Sequence, residues 1–221
     1  MPPRKKVADT IKEDAVATKT RKASIQKSAV TEEPQTSRQR AEEDKKETIV
    51  YHNSKIFPGK KVLYNDMRFV VLDTTNDGVL VISDDIIGKM RFSDNSDKGS
   101  NDWRKSIIRK KLNSDYIQKF DANDLLTIVS DLTADTGEDN YGICEDLIAI
   151  PSDAAFRKFN KLIPAYNTWV WSLTPWAIDY SSMSAVSART QNKTIYSEQA
   201  NRELGVVILC ILKQDVVEKM I

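Results

Sequence analysis

The placement of the aromatic residues constrains the fold of this chain most strongly. All 17 Trp, Tyr and Phe residues of the 221-residue chain lie at or after Tyr51, and the first glycine is Gly59. Large apolar side chains build hydrophobic cores, so the leading segment lacks what a core requires. We therefore predict a disordered, charged tail or docking arm over residues 1–50, one folded domain over residues 51–214, and a short C-terminal tail over residues 215–221.

Charge divides the leading segment into two parts of opposite sign. The first 31 residues hold eight Lys or Arg and three acids, a net +5, whereas residues 31–47 hold four bases and six acids, a net −2. From Thr48 onward, 21 bases face 23 acids, again a net −2. The near-neutral total therefore combines a basic arm with a slightly acidic body. The bases that we assign to the docking arm are Arg4, Lys5, Lys6, Lys19, Arg21 and Lys22.

Three interpretations of the arm follow from its composition. Clustered Lys and Arg attract phosphate or an acidic protein surface. The arm contains no aromatic side chain on which bases could stack, which favours docking onto a large protein assembly over binding nucleic acid. A solvated linker is the third interpretation.

No apolar segment of the chain is typical of a secretory signal or a membrane span. No uninterrupted apolar run of about 7–15 residues, as a secretory signal requires, precedes Ile49. The longest apolar run, residues 206–212, has seven residues, against roughly 20 for a membrane-spanning helix. We therefore expect neither feature, and leave open whether the chain forms a homo-oligomer.

From Tyr51 onward the pattern predicts an α+β domain that begins with a three-stranded meander. Strands are predicted over residues 62–64, 68–73 and 79–83, separated by two polar turns. Asn65-Asp66, a pair that tolerates positive φ, forms the first predicted turn. Asp77-Gly78 forms the second, and for this turn we predict type I′ geometry with both central residues at positive φ.

Helical and strand signals follow. Apolar residues recur at steps of four, one, four, four and four from Trp103 to Phe120, which predicts an amphipathic helix, either one rod or two helices that meet near Asn113. Ser152 is a predicted N-cap for a short helix to Leu162. Further strands are predicted over residues 169–173, 185–190, 194–197 and 204–212.

Residues 101–113, followed by Tyr116 and Phe120, resemble the helix signature of a bacterial and phage domain family of unknown function. That family is similar in fold to C-type lectins and formylglycine-generating enzymes. The other motifs of the unknown-function family also have similar segments in this chain, in the same order, over about residues 56–213. The segments that carry the resemblance besides the helix are residues 67–72, 79–83, 145–152, 168–172 and 205–209.

The resemblance implies a C-type-lectin-like fold with antiparallel sheets and two or three short helices. The closing strand lacks the Arg-Pro of the family pattern, and Val170 and Leu173 alter another motif. Because the family is a bacterial and phage one, the resemblance together with the charged arm leads us to expect a structural or recognition protein of a phage virion.

Residue content argues against catalysis. The only histidine, His52, lies at the boundary of the leading segment, so we expect neither a Ser-His or Cys-His relay nor a multi-histidine metal site. Cys144 and Cys210 stand 66 positions apart, and Cys210 lies in an apolar run that predicts a buried thiol. Lys98 and Lys105 occupy positions that an EF-hand would give to ligands. We expect no catalytic residue, metal or cofactor.

Three of the four tryptophans fall within residues 167–184. Trp169 and Trp171 alternate along a predicted strand, so we expect both in the core. Trp176 follows Pro175 in a segment typical of a loop, and Trp and Tyr provide much contact area at small entropic cost. The alternative is that Trp176 folds back as a lid over the core. The candidate binding residues are Trp176, Asp179, Tyr180, Ser181 and Arg189.

We expect a non-enzymatic structural or recognition protein of a phage virion, such as a capsid decoration, a head fibre or a tail-associated protein. Residues 1–50 would dock it on the particle, and the domain would bind a glycan or protein of the host surface. The alternative is a cytoplasmic, nucleic-acid-associated protein tethered by its basic arm.

Overall fold

A computed structural model describes residues 55–187 and 194–221 of this protein. All of them belong to one compact unit. The predicted docking arm and Arg189 lie outside the described residues.

The described residues form a mixed α+β domain with mostly antiparallel sheets and a few short helices. The strands are β1 (Lys61–Tyr64), β2 (Met67–Thr74), β3 (Gly78–Ser83), β4 (Gly88–Arg91), β5 (Leu125–Leu126), β6 (Ile128–Asp131), β7 (Ile143–Asp146), β8 (Ile148–Ala149), β9 (Trp169–Pro175), β10 (Ser182–Ser187), β11 (Thr194–Gln199), β12 (Glu203–Val206) and β13 (Leu209–Lys213). The α-helices are α1 (Ile107–Ser114), α2 (Asp153–Lys158) and α3 (Gln214–Glu218), and 3₁₀ turns span Trp103–Lys105, Tyr116–Lys119 and Ala122–Asp124.

The predicted meander opens the first sheet, whose order is β1-β2-β3-β13-β5, with β8 also paired to β13. Asn65 and Asp66 have φ of 43° and 65°, which confirms the tight turn predicted there from residues that tolerate positive φ. The type I′ prediction for Asp77-Gly78 is wrong, because neither residue has positive φ and Gly78 already begins β3. Close packing requires glycine at this position instead, because an added Cβ would lie 2.6 Å from Ile211 Cγ2.

The second sheet has the order β11-β10-β9-β12-β4 and contains the one parallel pair found among the described strands, β12 with β9. The single strand predicted over residues 204–212 is wrong. The chain leaves this sheet after Val206 and enters the first sheet at Leu209. Between them, Ile208 N–H donates to Ser83 Oγ at 3.0 Å. The two sheets are therefore joined through residues 207–208.

The predicted helical block is divided rather than continuous. The 3₁₀ turn Trp103–Lys105 ends at Ser106, whose hydroxyl caps α1 by accepting from Arg109 N–H. The helix ends at Ser114, which confirms the break that Asn113 indicated. The predicted cap of the next helix is also confirmed, because Ser152 Oγ accepts from Ala155 N–H at 3.2 Å, although α2 ends at Lys158.

The core lies between the sheets and the helices. Phe92, Trp103 and Trp171 are fully buried there, and the ring of Phe92 contacts the rings of both tryptophans. Cys210 is buried in β13, as predicted. In the segment assigned to a C-terminal tail, Val217 of α3 is also fully buried, so this segment packs on the domain. None of the helices in the described part of the chain is long and apolar enough to cross a membrane.

Candidate functional site

The candidate binding loop comprises residues 176–181 and connects β9 to β10. Trp176 is 36% exposed and Tyr180 is 61% exposed, so the structure leaves both rings accessible to a partner. Asp179 is exposed and Ser181 is half-buried. Four of the five candidate residues are therefore brought together on one short loop.

Asn101 holds both ends of this loop from inside the protein. Its Nδ2 donates to the carbonyl oxygens of Ala177 at 2.7 Å and Ser182 at 3.0 Å. Its Oδ1 accepts from the Tyr141 hydroxyl at 2.9 Å. Asn101 is 0% exposed, so its amide finds its hydrogen-bond partners within the protein rather than in water.

Tyr141 connects Asn101 to the tip of the loop through hydrogen bonds. Its hydroxyl oxygen accepts from Asp179 N–H at 3.1 Å, and burial raises the pKa of this phenol. Asp179 has φ of 59°, a left-handed conformation that Asp tolerates better than most residues. Next to it, Gly99 N–H donates to Tyr180 O at 3.2 Å, and Lys98 Nζ lies 3.5 Å from Asp179 Oδ2.

A second segment, residues 135–138, supports the other side of the loop. Asp135 N–H donates to Pro175 O at 2.9 Å and Thr136 N–H donates to Trp176 O at 3.3 Å. Glu138 Oε2 accepts from Ile178 N–H at 3.2 Å. The hydrogen bond from the Thr136 hydroxyl, and then the one from Ile178 N–H, lower the pKa of Glu138, which is therefore an anion at neutral pH.

The last residue of β11 and the residue after it support the end of the loop at Ser181. Ser181 O accepts from Ala200 N–H at 2.8 Å, and Ser181 Oγ donates to Gln199 Oε1 at 2.9 Å. The loop backbone is thus held from three sides, while the rings of Trp176 and Tyr180 reach solvent.

The residues after Asn101 extend the network into the core. Arg104 binds Asp102 with two hydrogen bonds of 2.9 Å and 2.8 Å, and its guanidinium lies 5.4 Å from the centroid of the Tyr141 ring. Burial by itself would raise the pKa of Asp102, but the hydrogen bonds and charge of Arg104 outweigh burial and lower it. Trp103 Nε1 donates to Asp146 Oδ2 at 2.9 Å, and Arg109 Nε donates to Asp146 Oδ1 at 2.8 Å.

Sequence reasoning missed Asn101 and Tyr141 as supports of the loop. Asn101 stands at the start of the segment that carried the family resemblance, directly before a buried acid and a buried tryptophan, and this position was the available signal. Tyr141 offered no such signal, since its partners lie 40 and 38 residues away.

The two neighbouring tryptophans have different fates. Trp171 is completely buried, as predicted, and its Nε1 donates to Met90 O at 2.8 Å. Trp169 is only half-buried and meets Tyr196 edge to face, with 5.2 Å between the ring centroids. The core prediction is therefore confirmed for Trp171 and wrong for Trp169, which lies at the edge of the core.

The carboxylate and cysteine side chains of the described residues are groups that could hold a metal ion or act as nucleophiles. Within residues 55–187 and 194–221, no group of three or more His, Cys, Asp or Glu side chains is placed to hold a metal ion. Burial raises the pKa of Cys144 and of Cys210, which keeps both as thiols rather than nucleophilic thiolates.

No protein-family model, curated protein or solved structure matches this chain. We therefore infer the role of the loop from the chemistry of its own residues. That chemistry is a fixed backbone carrying two accessible rings, an exposed carboxylate and a hydroxyl.

Proposed function

We propose that this chain is a non-enzymatic recognition protein in which the loop of residues 176–181 binds a protein partner. The observation that carries the proposal is the contrast between Asn101, which is fully buried and holds both ends of the loop, and Trp176 and Tyr180, which remain exposed. Buried polar networks that hold exposed aromatic rings in one place are typical of contact surfaces rather than of cores.

The rigid backbone supports binding for an energetic reason. A flexible loop loses conformational entropy when it binds, and this loss reduces affinity. Here, backbone hydrogen bonds from three segments already hold residues 175–182. Trp and Tyr are also enriched among the residues that dominate protein interfaces, where each contributes more than about 1 kcal/mol.

We place the protein on a phage particle, with residues 1–50 docked on the assembly and a C-type-lectin-like domain that displays the loop toward a host-surface protein. The basic arm and the family resemblance of residues 56–213 support this part of the proposal. The mixed α+β architecture with mostly antiparallel sheets is compatible with the lectin-like fold.

Photo-crosslinking with the full chain tests the loop. A benzophenone amino acid replaces Tyr180 in one variant and Leu63, a similarly accessible residue of β1, in another. We expect the variant at position 180 to capture a protein from bacterial cell envelopes, and the variant at position 63 to capture none.

The captured protein then allows a quantitative test. The double substitution Trp176→Ala and Tyr180→Ala should weaken its binding at least about tenfold, because aromatic anchors dominate such interfaces. The melting temperature should hardly change, since both rings are exposed. Unchanged affinity, capture of a glycan instead of a protein, or a large loss of stability would contradict the proposal.

The alternative nucleic-acid role rests on one observation, the net +5 over the first 31 residues. If this role is correct, the full chain binds duplex DNA with an affinity that falls steeply as salt rises. A variant with Gln in place of Arg4, Lys5, Lys6, Lys19, Arg21 and Lys22 is the control. Binding of a virion protein that depends on these bases, without binding to DNA, supports the docking role instead.

A further inference from the structure

A cleft of about 760 Å³ opens on the second sheet, and no residue of the candidate loop lines it. Trp169 of β9 and Tyr196 of β11 line it, together with Arg91 of β4 and Glu203 of β12. Pockets of about 300–1,000 Å³ are the usual size for small ligands. None of these residues was assigned a role in the loop.

The sheet builds this cleft through a close approach of two strands. Gly205 of β12 pairs in parallel with Val170 of β9, and an added Cβ at position 205 would lie 3.1 Å from Trp169 O. The absence of a side chain therefore lets β12 run beside Trp169. The register of β12 with β4 then sets Glu203 opposite Arg91.

One part of the cleft is an apolar platform. The rings of Trp169 and Tyr196 meet edge to face at 5.2 Å, and Tyr196 is 54% exposed. The ring of Trp169 is half-buried, which fixes its position against the core. A ligand with an apolar face can pack on such a pair of rings.

The other part of the cleft is polar and balanced in charge. Arg91 and Arg202 supply two positive charges, and Glu198 and Glu203 supply two negative charges, so the sum is zero. Arg91 Nε lies 3.9 Å from Glu203 Oε1, beyond hydrogen-bonding distance, and the two side chains are 51% and 64% exposed. Donors and acceptors are thus both available to a ligand.

We propose that this cleft binds a neutral saccharide. A sugar ring has an apolar face of C–H groups that fits the platform of Trp169 and Tyr196. Its hydroxyl groups both donate and accept, so they can bind Glu203 and Arg91 at the same time. The balanced charge favours a neutral ligand over an anionic or cationic one, because neither sign of charge is in excess.

This inference is independent of the protein-binding role of the loop, because the two surfaces share no residue. The test uses the full chain and titrates neutral trisaccharides built from glucose, galactose and N-acetylglucosamine. Sialyllactose is the anionic comparator and a glucosamine trimer the cationic one. Tryptophan fluorescence and isothermal titration calorimetry measure the binding.

We expect at least one neutral trisaccharide to bind, and Tyr196→Ala to weaken its binding at least about tenfold by removing half of the platform. Tyr196→Phe keeps the ring and should keep affinity within about threefold. Tyr180→Ala, which removes an exposed tyrosine of the loop, should leave saccharide affinity unchanged. Glu203→Gln should shift preference toward sialyllactose, because the lining then carries a net positive charge.

Three results would overturn the proposal. One is that no neutral trisaccharide of the set binds. Another is that binding is the same for Tyr196→Ala as for the unchanged protein, with both folded by circular dichroism. The third is that only a charged comparator binds.

Discussion

The loop of residues 176–181 and the cleft of the second sheet both present accessible aromatic rings, but the protein positions them in different ways. Side chains far away in sequence hold the loop, chiefly Asn101, 76 residues from Ala177. Strand pairing and one close backbone approach, at Gly205, hold the cleft.

This difference indicates how each surface responds to substitution. The loop depends on a few buried polar groups, and the free energy of unfolding falls markedly when one of these groups loses its hydrogen-bond partner. The cleft depends on backbone geometry, so most of its exposed side chains can change without loss of the fold. Substitution of the buried residues that hold the loop should therefore destabilise the protein, whereas substitution of the exposed residues that line the cleft should not.

The largest effect is expected for Asn101→Ala. The substitution leaves Ala177 O and the Tyr141 hydroxyl without their buried partner, and we expect a loss of about 3 kcal/mol in the free energy of unfolding. Chemical denaturation measures this loss. Hydrogen exchange should show faster exchange at Asp179 N–H than in the unchanged protein.

Asn123→Ala is the matched control, since Asn123 is exposed and bonds only to its near neighbour Asp121. We expect a change below about 0.5 kcal/mol. Equal losses for the two variants would show that Asn101 is no special support of the loop.

A smaller effect is expected for Gly205→Ala, which addresses the cleft. The new Cβ would lie 3.1 Å from Ile86 Cγ2, Thr168 Cγ2 and Trp169 O, so the neighbours must shift by a few tenths of an ångström. We expect a loss of about 2 kcal/mol. NMR shifts should change at the Trp169 indole and stay constant at the amides of residues 176–181; the reverse pattern would contradict the separation of the two surfaces.

Acid should weaken the support of the loop through Asp102. The folded-state pKa of Asp102 lies below its usual range, so its charge contributes stability above pH of about 4, and this contribution is lost as pH falls through the folded-state pKa. Asp102→Asn should cost about 1–2 kcal/mol at pH 7. It should also flatten the fall of stability in acid.

Denaturation at a series of pH values between 2 and 7 tests this expectation, with Asp97→Asn, at an exposed site, as the control. If both variants keep the acid dependence of the unchanged protein, the Asp102–Arg104 pair is not its source.

The smallest effect is expected for the ion pair of Arg91 with Glu203. Their side chains are largely exposed and 3.9 Å apart, so a double-mutant cycle with alanine should give a coupling below about 0.5 kcal/mol. A coupling above about 1 kcal/mol would mean that the cleft lining stabilises the fold after all.

Local signals predicted much of the fold. The Asn65-Asp66 turn, the cap at Ser152 and the end of α1 each depend on residues within a few positions, and all three are confirmed. The errors occur where distant residues decide. An added Cβ at Gly78 would meet Ile211 of β13, and the strand predicted over residues 204–212 divides because its residues belong to two sheets.

The candidate site shows the same limit. A local pattern of proline, acid and hydroxyl residues predicted a loop at Trp176 but left open whether its ring is exposed or covers the core, and the structure shows that Trp176 is 36% exposed. The roles of Asn101 and Tyr141 did not follow, because a single polar residue gives no sign of which carbonyl it will bind 76 residues away. Trp169 was assigned to the core because alternation along a strand indicates a face but not how far that face is covered.

By itself, the sequence determined that the aromatic residues begin at Tyr51 and the glycines at Gly59, that the domain combines strands and short helices, and where the Asn65-Asp66 turn and the Ser152 cap lie. Those features depend on composition and on interactions between near neighbours. Only the tertiary structure decided that a buried asparagine holds the loop and that a half-buried tryptophan opens onto a cleft, because both depend on which distant segments meet in space.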